Sequence, residues 1–528
     1  MFKRKHIILS SVGIVSILLG SLFYYNMVRA QSAGEYDPWL DVNDDGIIDV
    51  SDIYLVALRF GAMGTSLTKA AMEYDSGWVD ISDKKGQYFD VVHNLHLTGN
   101  FIPRVWGKTT LQAERHQRCF DGTGSPSGWS KTYGGTSYDD ANAVVETGDG
   151  GYAVAGNTWS YGAGGSDFYL VKTDSAGNME WNTTYGTVSD EKPNSLIVTS
   201  DGGYAIAGST LSLGGSNFWL VKTDSAGNYE WSWTYLGTGD SVAYSVIETS
   251  DGGYAIAGWV DPAGPDEKDF RLIKTTSTGH KSWDITYGGS SWDVARSVVE
   301  TSGGGYALAG YTWSYGAGYS DYYLVKTDAD GVMQWNKTYG GGGWDEAWPL
   351  IETGDGGYAL AGYTGSYGAG GTDFWLVKTN SSGHMQWSKT YGGADYEETR
   401  SLVETIDGGY AIAGFTESYG AGSKDFYLVK TDVAGNMLWS KTYGGSNPEF
   451  ATSLVETIDG GYALAGFTYS YGAGLNDFYL VKTDPFGLVD YPEVGLALTA
   501  YTADTLTFYR GKIDPYWNYI RVYIFVMR

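Results

Sequence analysis

Seven tryptophans, Trp129, Trp181, Trp231, Trp283, Trp335, Trp387 and Trp439, stand 52, 50, 52, 52, 52 and 52 residues apart. A period near fifty means that one supersecondary unit is repeated, and that each unit buries its apolar surface against its neighbours. In one copy four strand-patterned runs are legible: SLVETI (401–406), YAIAGFT (410–416), DFYLVKT (425–431) and MLWSKTY (437–443). Asp407-Gly408-Gly409 joins the first two, and the five residues from Asp432 to Asn436 join the last two. Both connections suit hairpin turns. The 77 glycines against 11 prolines, with 16% aromatic residues, fit many short strands and tight turns. A four-stranded sheet of this size cannot bury two apolar faces alone, whereas seven packed radially can.

The last copy supplies only three strands, SLVETI (453–458), YALAGFT (462–468) and DFYLVKT (477–483), before the chain departs into DPFGLVDYPE. An orphan fourth strand, WSKTY at 129–133, precedes the first full copy. Joining the two completes a seventh unit and closes a ring. The expected fold class is all-β: a seven-bladed β-propeller over 129–487. The repeat resembles the seven-bladed propeller repeats of exported bacterial and archaeal proteins, which share the order G-Y-x-x-x-G-x-T … D-x-x-L-x-K-x-D-x-x-G-x-x-x-W. That resemblance implies a fold and leaves activity open, because propellers host many functions. A sialidase-type turn is not carried over, since TDSAGNMEW (173–181) has one residue too many between Asp174 and Gly177.

The start of the chain combines basic residues with an uncharged run from Ile7 to Asn26, then small residues around Val28-Arg29-Ala30. This reads as an export signal over 1–30; left uncleaved, so long a run would serve as a membrane anchor. The expected location is therefore secreted or at the extracellular cell surface, with membrane or cell-wall attachment the alternative to free release. A lone Cys119 cannot form an internal disulfide, so packing must hold the fold. A net charge of −27 argues against a nucleic-acid partner, which needs a basic face.

DVNDDGIIDVSD, residues 41–52, places side-chain oxygens at loop positions 1, 3, 5, 9 and 12 through Asp41, Asn43, Asp45, Asp49 and Asp52. Gly46 allows the sharp turn, and Ile47 offers its backbone carbonyl. Such an oxygen cage suits Ca²⁺. Ile53, Val56 and Phe60 share one face of a helix leaving the loop. The module, 36–66, resembles a dockerin repeat, which implies a calcium loop, one helix and a cohesin-type partner. A full dockerin has two such halves; this chain shows one.

Two flanks, 74–127 and 488–528, carry about three strand-like runs each, too few for separate cores. Together they are expected to form one discontinuous β-sandwich into which the ring is inserted. The DSGW…F…HNL pattern resembles the small sandwiches of H-type lectins.

Function is expected on the face that collects the longer loops. The tenth residue after each tryptophan is Asp139, Glu191, Ser241, Asp293, Asp345, Glu397 or Glu449, with Asp240 one place before the exception. These carboxylates either gather at the channel mouth or accept N–H bonds within their own loops, the commoner use of a repeated acid. Three residues further on the copies stop agreeing, at Asn142, Asn194, Tyr244, Arg296, Trp348, Arg400 and Thr452. A column that varies among uniform blades suits an asymmetric ligand, and Trp348 suits stacking on a sugar. Tyr161, Tyr315, Tyr367, Tyr419 and Tyr471 recur in SYGAG loops, either to stack on sugars or to cover blade edges. Between 129 and 487 the only histidines are His280 and His384, both in turns of the opposite face. The leading expectation is a non-enzymatic recognition or scaffold protein that binds an extracellular glycan or protein. The alternative is an extracellular glycan-active enzyme using Asp345–Glu346 and Glu397–Glu398 as acid and base.

Overall fold

The computed structural model describes residues 128–212, 214–261 and 267–489 in full, and eight flanking strands by their backbone. Among the described residues every regular element is a strand. Seven four-stranded sheets follow one another: 139–185, 191–235, 241–287, 293–339, 345–391, 397–443, and 449–482 completed by 129–133. In the first blade the strands are Asp139–Glu146, Tyr152–Thr158, Asp167–Thr173 and Met179–Tyr185. The first strands of successive blades lie side by side around the axis, and Glu449–Glu456 returns beside Asp139–Glu146. The ring is closed, and the protein is a seven-bladed β-propeller.

Closure uses the orphan strand. Trp129–Tyr133 pairs antiparallel with Asp477–Lys482, Tyr133 opposite Phe478 and Trp129 opposite Lys482. The repeat explains why it fits. In every blade the final tyrosine donates its hydroxyl to a glycine carbonyl in the next blade, and Tyr133 does so to Gly177 at 2.7 Å. Tyr185 to Gly227 and Tyr443 to Gly487 are made the same way. Gly177 has φ +75°, and a Cβ there would lie 2.5 Å from the Trp129 ring, so glycine is needed for both reasons.

Packing between blades follows from strand position. Second and third strands are covered on both faces and buried along their length, while fourth strands alternate with solvent. Leu324, Tyr339 and Trp335 of the fourth blade meet Leu360, Trp375 and Val377 of the fifth, the pattern at each junction. Burying a side chain of this size contributes about 1.5–3 kcal/mol. At the turn-rich end, glutamates closing the first strands clamp the preceding blade: Glu300 accepts from Ser250 N at 2.7 Å and Ser250 Oγ at 2.8 Å. Glu248, Glu352, Glu404, Glu456 and Glu146 hold the corresponding turns.

One boundary differs from the sequence reading. The first strand of the sixth blade is Glu397–Glu404, four residues earlier than the run read from SLVETI. Each first strand carries a register shift near its start, as between Thr399 and Ser401. The extra residue breaks the alternation by which a strand is recognised. The acidic and variable columns therefore lie inside the innermost strands, not in the loops before them.

The chain divides into two compact units, Pro126–Tyr491 and Met1–Ser125 with Pro492–Arg528. In the second, Trp517–Met527 pairs with Ala70–Asp75, Val79–Asp80 and Phe101–Thr109. Tyr88–Val92 pairs with Thr505–Tyr509, which also pairs with Ala497–Tyr501. Strands from both ends of the chain thus share two sheets. The export signal and the calcium loop lie outside the described residues.

Candidate functional site

The acidic column is buried. Asp139, Glu191, Asp293, Asp345, Glu397 and Glu449 each expose 0% of their surface. Asp345 accepts from Gly341 N at 2.8 Å and Ser366 Oγ at 2.6 Å, and Thr364 also donates to it. Glu397 accepts from Gly393 N at 2.8 Å and Thr416 Oγ1 at 2.6 Å. Asp139, Glu191 and Glu449 take the same partners in their own blades, and Asp293 accepts from Gly289 N and Ser314 Oγ. Of the two expected arrangements, the loop-holding one is found: each carboxylate ties the entry loop to the end of strand two.

Asp240 does not replace the missing acid at Ser241. Its carboxylate accepts from Ser216 N at 2.7 Å, as Asp190 accepts from Ser166 N at 3.0 Å in the blade before. It is the counterpart of Asp190. The space left by Ser241 is served by Arg271, which donates to Ser241 Oγ at 3.3 Å and to the carbonyls of Tyr235 and Leu236. Asp284 neutralises that guanidinium at 2.8 Å.

A second acid, unnoticed in the sequence, faces the first at six of the seven junctions. Asp167, Asp269, Asp321, Asp373, Asp425 and Asp477 open third strands, and each carboxyl is raised by burial, with the neighbouring acid of the next blade adding to it. Asp269 and Asp321 are pushed up to about 6. A glycine sits wedged between each pair: a Cβ on Gly340 would lie 1.9 Å from Asp321 and 2.8 Å from Asp345. At the remaining junction Asn217 and Ser241 replace both acids, and Leu236 stands where the others have glycine. This joint loss was the available signal, readable by comparing columns across the copies.

The variable column occupies the bulges. Asn142, Asn194, Tyr244, Arg296, Trp348, Arg400 and Thr452 each fall within the register shift of an innermost strand, where a bulge re-aims the side chain. Three of them seal the ring: Asn142 donates to Pro193 O at 2.8 Å, Asn194 to Ala243 O at 2.7 Å, and Thr452 to Ala141 O at 2.9 Å. The other four form a stack across four blades. The Arg296 guanidinium lies 4.0 Å from the Tyr244 ring centre and 3.9 Å from that of Trp348, and Arg400 lies 3.6 Å from Trp348 on its own side. Such contacts stabilise by roughly 0.5–2 kcal/mol each.

Both neighbours of the Trp348 ring being guanidinium groups, the expected stacking of that indole on a sugar is not the geometry found. What it offers is an edge. Trp348 Nε1 and Arg296 Nε are buried donors without an acceptor. An unsatisfied buried donor costs about 1–3 kcal/mol, so two in one cluster call for explanation. Carboxylates border the stack: Glu398 pairs with Arg400 at 2.7 Å, and burial raises the Glu346 carboxyl.

The recurrent tyrosines cover blade edges. Tyr161, Tyr315, Tyr367, Tyr419 and Tyr471 donate to Gly134, Gly288, Gly340, Gly392 and Gly444 carbonyls at 2.7–3.0 Å. Each ring also lies against an aromatic residue of the third strand, such as Tyr315 on Tyr323 at 5.5 Å.

No protein-family model matches the chain. Over 295 residues it is 25% identical to the regulatory protein FlaEY of Caulobacter vibrioides, covering 47% of this chain and 31% of that one. The match thus spans about a third of the relative's length. Among solved structures, the WD40 domain of Neurospora crassa Pan2 aligns with TM-score 0.42 at 9% identity, over 68% of this chain and 96% of that one. Sqt1 of Chaetomium thermophilum aligns with TM-score 0.40 at 10% identity, over 76% and 100%. The periplasmic gluconolactonase PpgL of Pseudomonas aeruginosa aligns with TM-score 0.39 at 12% identity, over 64% and 99%.

Proposed function

We propose that this chain is an exported or cell-surface recognition protein that holds an extracellular glycan or protein partner through the axial stack of the propeller. The observation that carries this reading is the pair of acceptor-less donors, Trp348 Nε1 and Arg296 Nε, in a cluster that breaks the ring's symmetry. Both nitrogens are enclosed in this conformation, so a hydroxyl, carboxylate or carbonyl oxygen of a ligand supplies what they lack once the stack opens toward it. In this reading a calcium-bound 36–66 module stiffens the N-terminal region through Asp41, Asn43, Asp45, Ile47, Asp49 and Asp52, and is the part that a cohesin-like partner would meet. The two sheets to which both flanks of the chain contribute make up, in the same reading, one discontinuous β-sandwich.

Trp348→Phe tests the axial reading. It keeps an aromatic face for both arginines and removes only the N–H. Affinity for a glycan or protein first identified by array screening of the full chain should fall roughly tenfold, the value of one hydrogen bond. Stability should hold or rise, because an unsatisfied donor has gone. Unchanged affinity would remove Trp348 from the site. The enzymatic alternative draws on one observation, a half-buried Glu346 with a raised carboxyl beside Glu398. Its test is release of reducing ends from the bound polysaccharide, abolished in Glu346→Gln.

A further inference from the structure

Three arrangements invite a ligand besides the axial stack. At five of the six junctions the carboxylate pairs are held by loop N–H and hydroxyl donors, which a cation would have to displace. At the sixth, Asp269 Oδ1 and Asp293 Oδ1 lack a donor, and an acidic pair alone does not make a cation site. Six of the seven buried third-strand lysines are consumed by turn aspartates, and Lys326 by two carbonyls. The third is a ladder of aromatic rings on the loop-rich face, and it is not accounted for by packing.

Tyr319 lies flat on Trp344, with ring centres 5.1 Å apart and planes within 4°. Trp344 meets Trp313 edge to face at 5.2 Å, and Trp313 stacks on Trp292 at 5.1 Å. Beyond Trp292 the Lys268 ammonium sits 4.2 Å from that ring and 4.0 Å from Trp259. Backbone bonds hold the ladder in place. Trp313 N donates to Trp292 O at 2.7 Å, Asp345 N to Ser320 O at 2.9 Å, and Gly365 N to Trp344 O at 2.6 Å. The rings are rigidly mounted, yet Tyr319 is 64% exposed, Trp344 42% and Trp313 39%. The first blade repeats one step of it, Trp159 standing at the place of Trp313 with Tyr138 edge-on at 6.3 Å. Gly365 and Glu417 stand there in the fifth and sixth blades, and the four-ring series is found at the fourth and fifth blades among the described residues.

We infer that this ladder is a binding platform for a neutral glycan chain, separate from the axial stack. Tyr319, with one face on Trp344 and most of its surface exposed, offers its outer face to the C–H face of a pyranose, and the exposed parts of Trp344 and Trp313 extend that apolar surface beside it. The large hydrophobic residues exposed on this face in the fourth to sixth blades are Trp313, Tyr315, Tyr319, Trp344, Tyr367, Tyr396 and Tyr419, all aromatic. A protein-docking patch would mix in aliphatic side chains, and in these blades the exposed ones belong to the opposite end: Val332, Met333, Met385, Val433, Met437 and Leu438. The ladder's one cation, Lys268, is enclosed by two indoles, and the net charge of −27 repels acidic polymers.

The test is calorimetric titration of the full chain with β-1,4-linked hexamers of glucose, mannose and xylose, and with hexagalacturonate as the acidic probe. At least one neutral hexamer should bind, and more tightly than hexagalacturonate. Trp344→Ala should weaken that binding at least tenfold, while Trp348→Phe at the axis leaves it unchanged. Tyr319→Ala, the most exposed member, should weaken it as well, and it keeps the test decisive if Trp344→Ala fails to fold. Binding of none of the neutral hexamers, preference for the acidic one, or full affinity in Tyr319→Ala would overturn the inference. Neutral-hexamer binding lost in Trp348→Phe and kept in the ladder variants would overturn it while leaving the axial reading in place.

Discussion

Trp335 and Trp348 are thirteen positions apart and stabilise the ring in different ways. Trp335 packs edge-on against Tyr358 at 6.1 Å and covers Gly383 of the next blade. Trp335→Ala should cost about 3 kcal/mol in denaturant titration, the low end of the range for loss of a buried tryptophan, because Trp335 is only partly buried. Trp348 separates two guanidinium groups, so Trp348→Ala brings like charges together and should cost about 2 kcal/mol. Trp348→Phe, which keeps a ring between them, should hold or slightly raise stability. Another residue-scale contrast lies in the third strands. Lys172, Lys222, Lys274, Lys378, Lys430 and Lys482 are buried and paired with a turn aspartate, as Lys378 is with Asp355 at 2.8 Å. Against the cost of burial, that lysine, the Thr353 hydroxyl and the Gly357 N–H hold the Asp355 carboxyl down at about 2. The fourth blade has Gly303 in place of the aspartate, and Lys326, donating only to carbonyls, is lowered by burial. Gly303→Asp should therefore raise stability by about 1 kcal/mol, measured as a shift in urea midpoint at constant slope. A midpoint that stays put or falls would mean that the carbonyls already satisfy Lys326.

At the scale of the strand and the junction, pH separates two sets of carboxylates. Asp269 and Asp321, raised to about 6 by burial first and then by the facing acid, bind protons more readily folded than unfolded. Their contribution is fully present below the unfolded value and is lost as pH rises toward 6. Asp149, Asp201, Asp251 and Asp355, held at about 2, contribute above the unfolded value and lose that as pH falls toward 2. The thermal midpoint should therefore rise as pH drops from 7 to about 4, then fall. Asp321→Asn should flatten the upper part of that profile; an unchanged profile would contradict the pairing. These elements also show why the sequence was only partly legible. Strands two, three and four follow an unbroken pattern from Tyr410 to Tyr443, and the runs read there coincide with the strands found. The first strand was read four residues short because a bulge leaves no composition of its own, only one residue too many at Arg400. The variable column was visible, but its stacking was not: Tyr244, Arg296, Trp348 and Arg400 are about fifty residues apart and meet only once the ring closes.

For the whole molecule, ring closure by Trp129–Tyr133 was legible because a missing unit can be seen by counting. The ligand was not, because packing and recognition draw on the same aromatic residues. Calcium binding belongs to this scale too. The full chain should bind an equivalent of Ca²⁺ that Asp41→Ala with Asp45→Ala removes, with the propeller's thermal transition unchanged. The central claim is that residues shared by the blades build the ring, that three of the variable positions help to seal it, and that the exposed aromatic residues on which the blades differ recognise a partner. It is tested most directly by measuring affinity for a neutral hexamer and thermal midpoint side by side in Trp335→Ala and Trp313→Ala. The account predicts that Trp335→Ala melts earlier yet binds normally below its transition, and that Trp313→Ala keeps its midpoint within a few degrees but loses at least tenfold in affinity. Normal binding by Trp313→Ala, or affinity lost only in the variant that melts early, would contradict it.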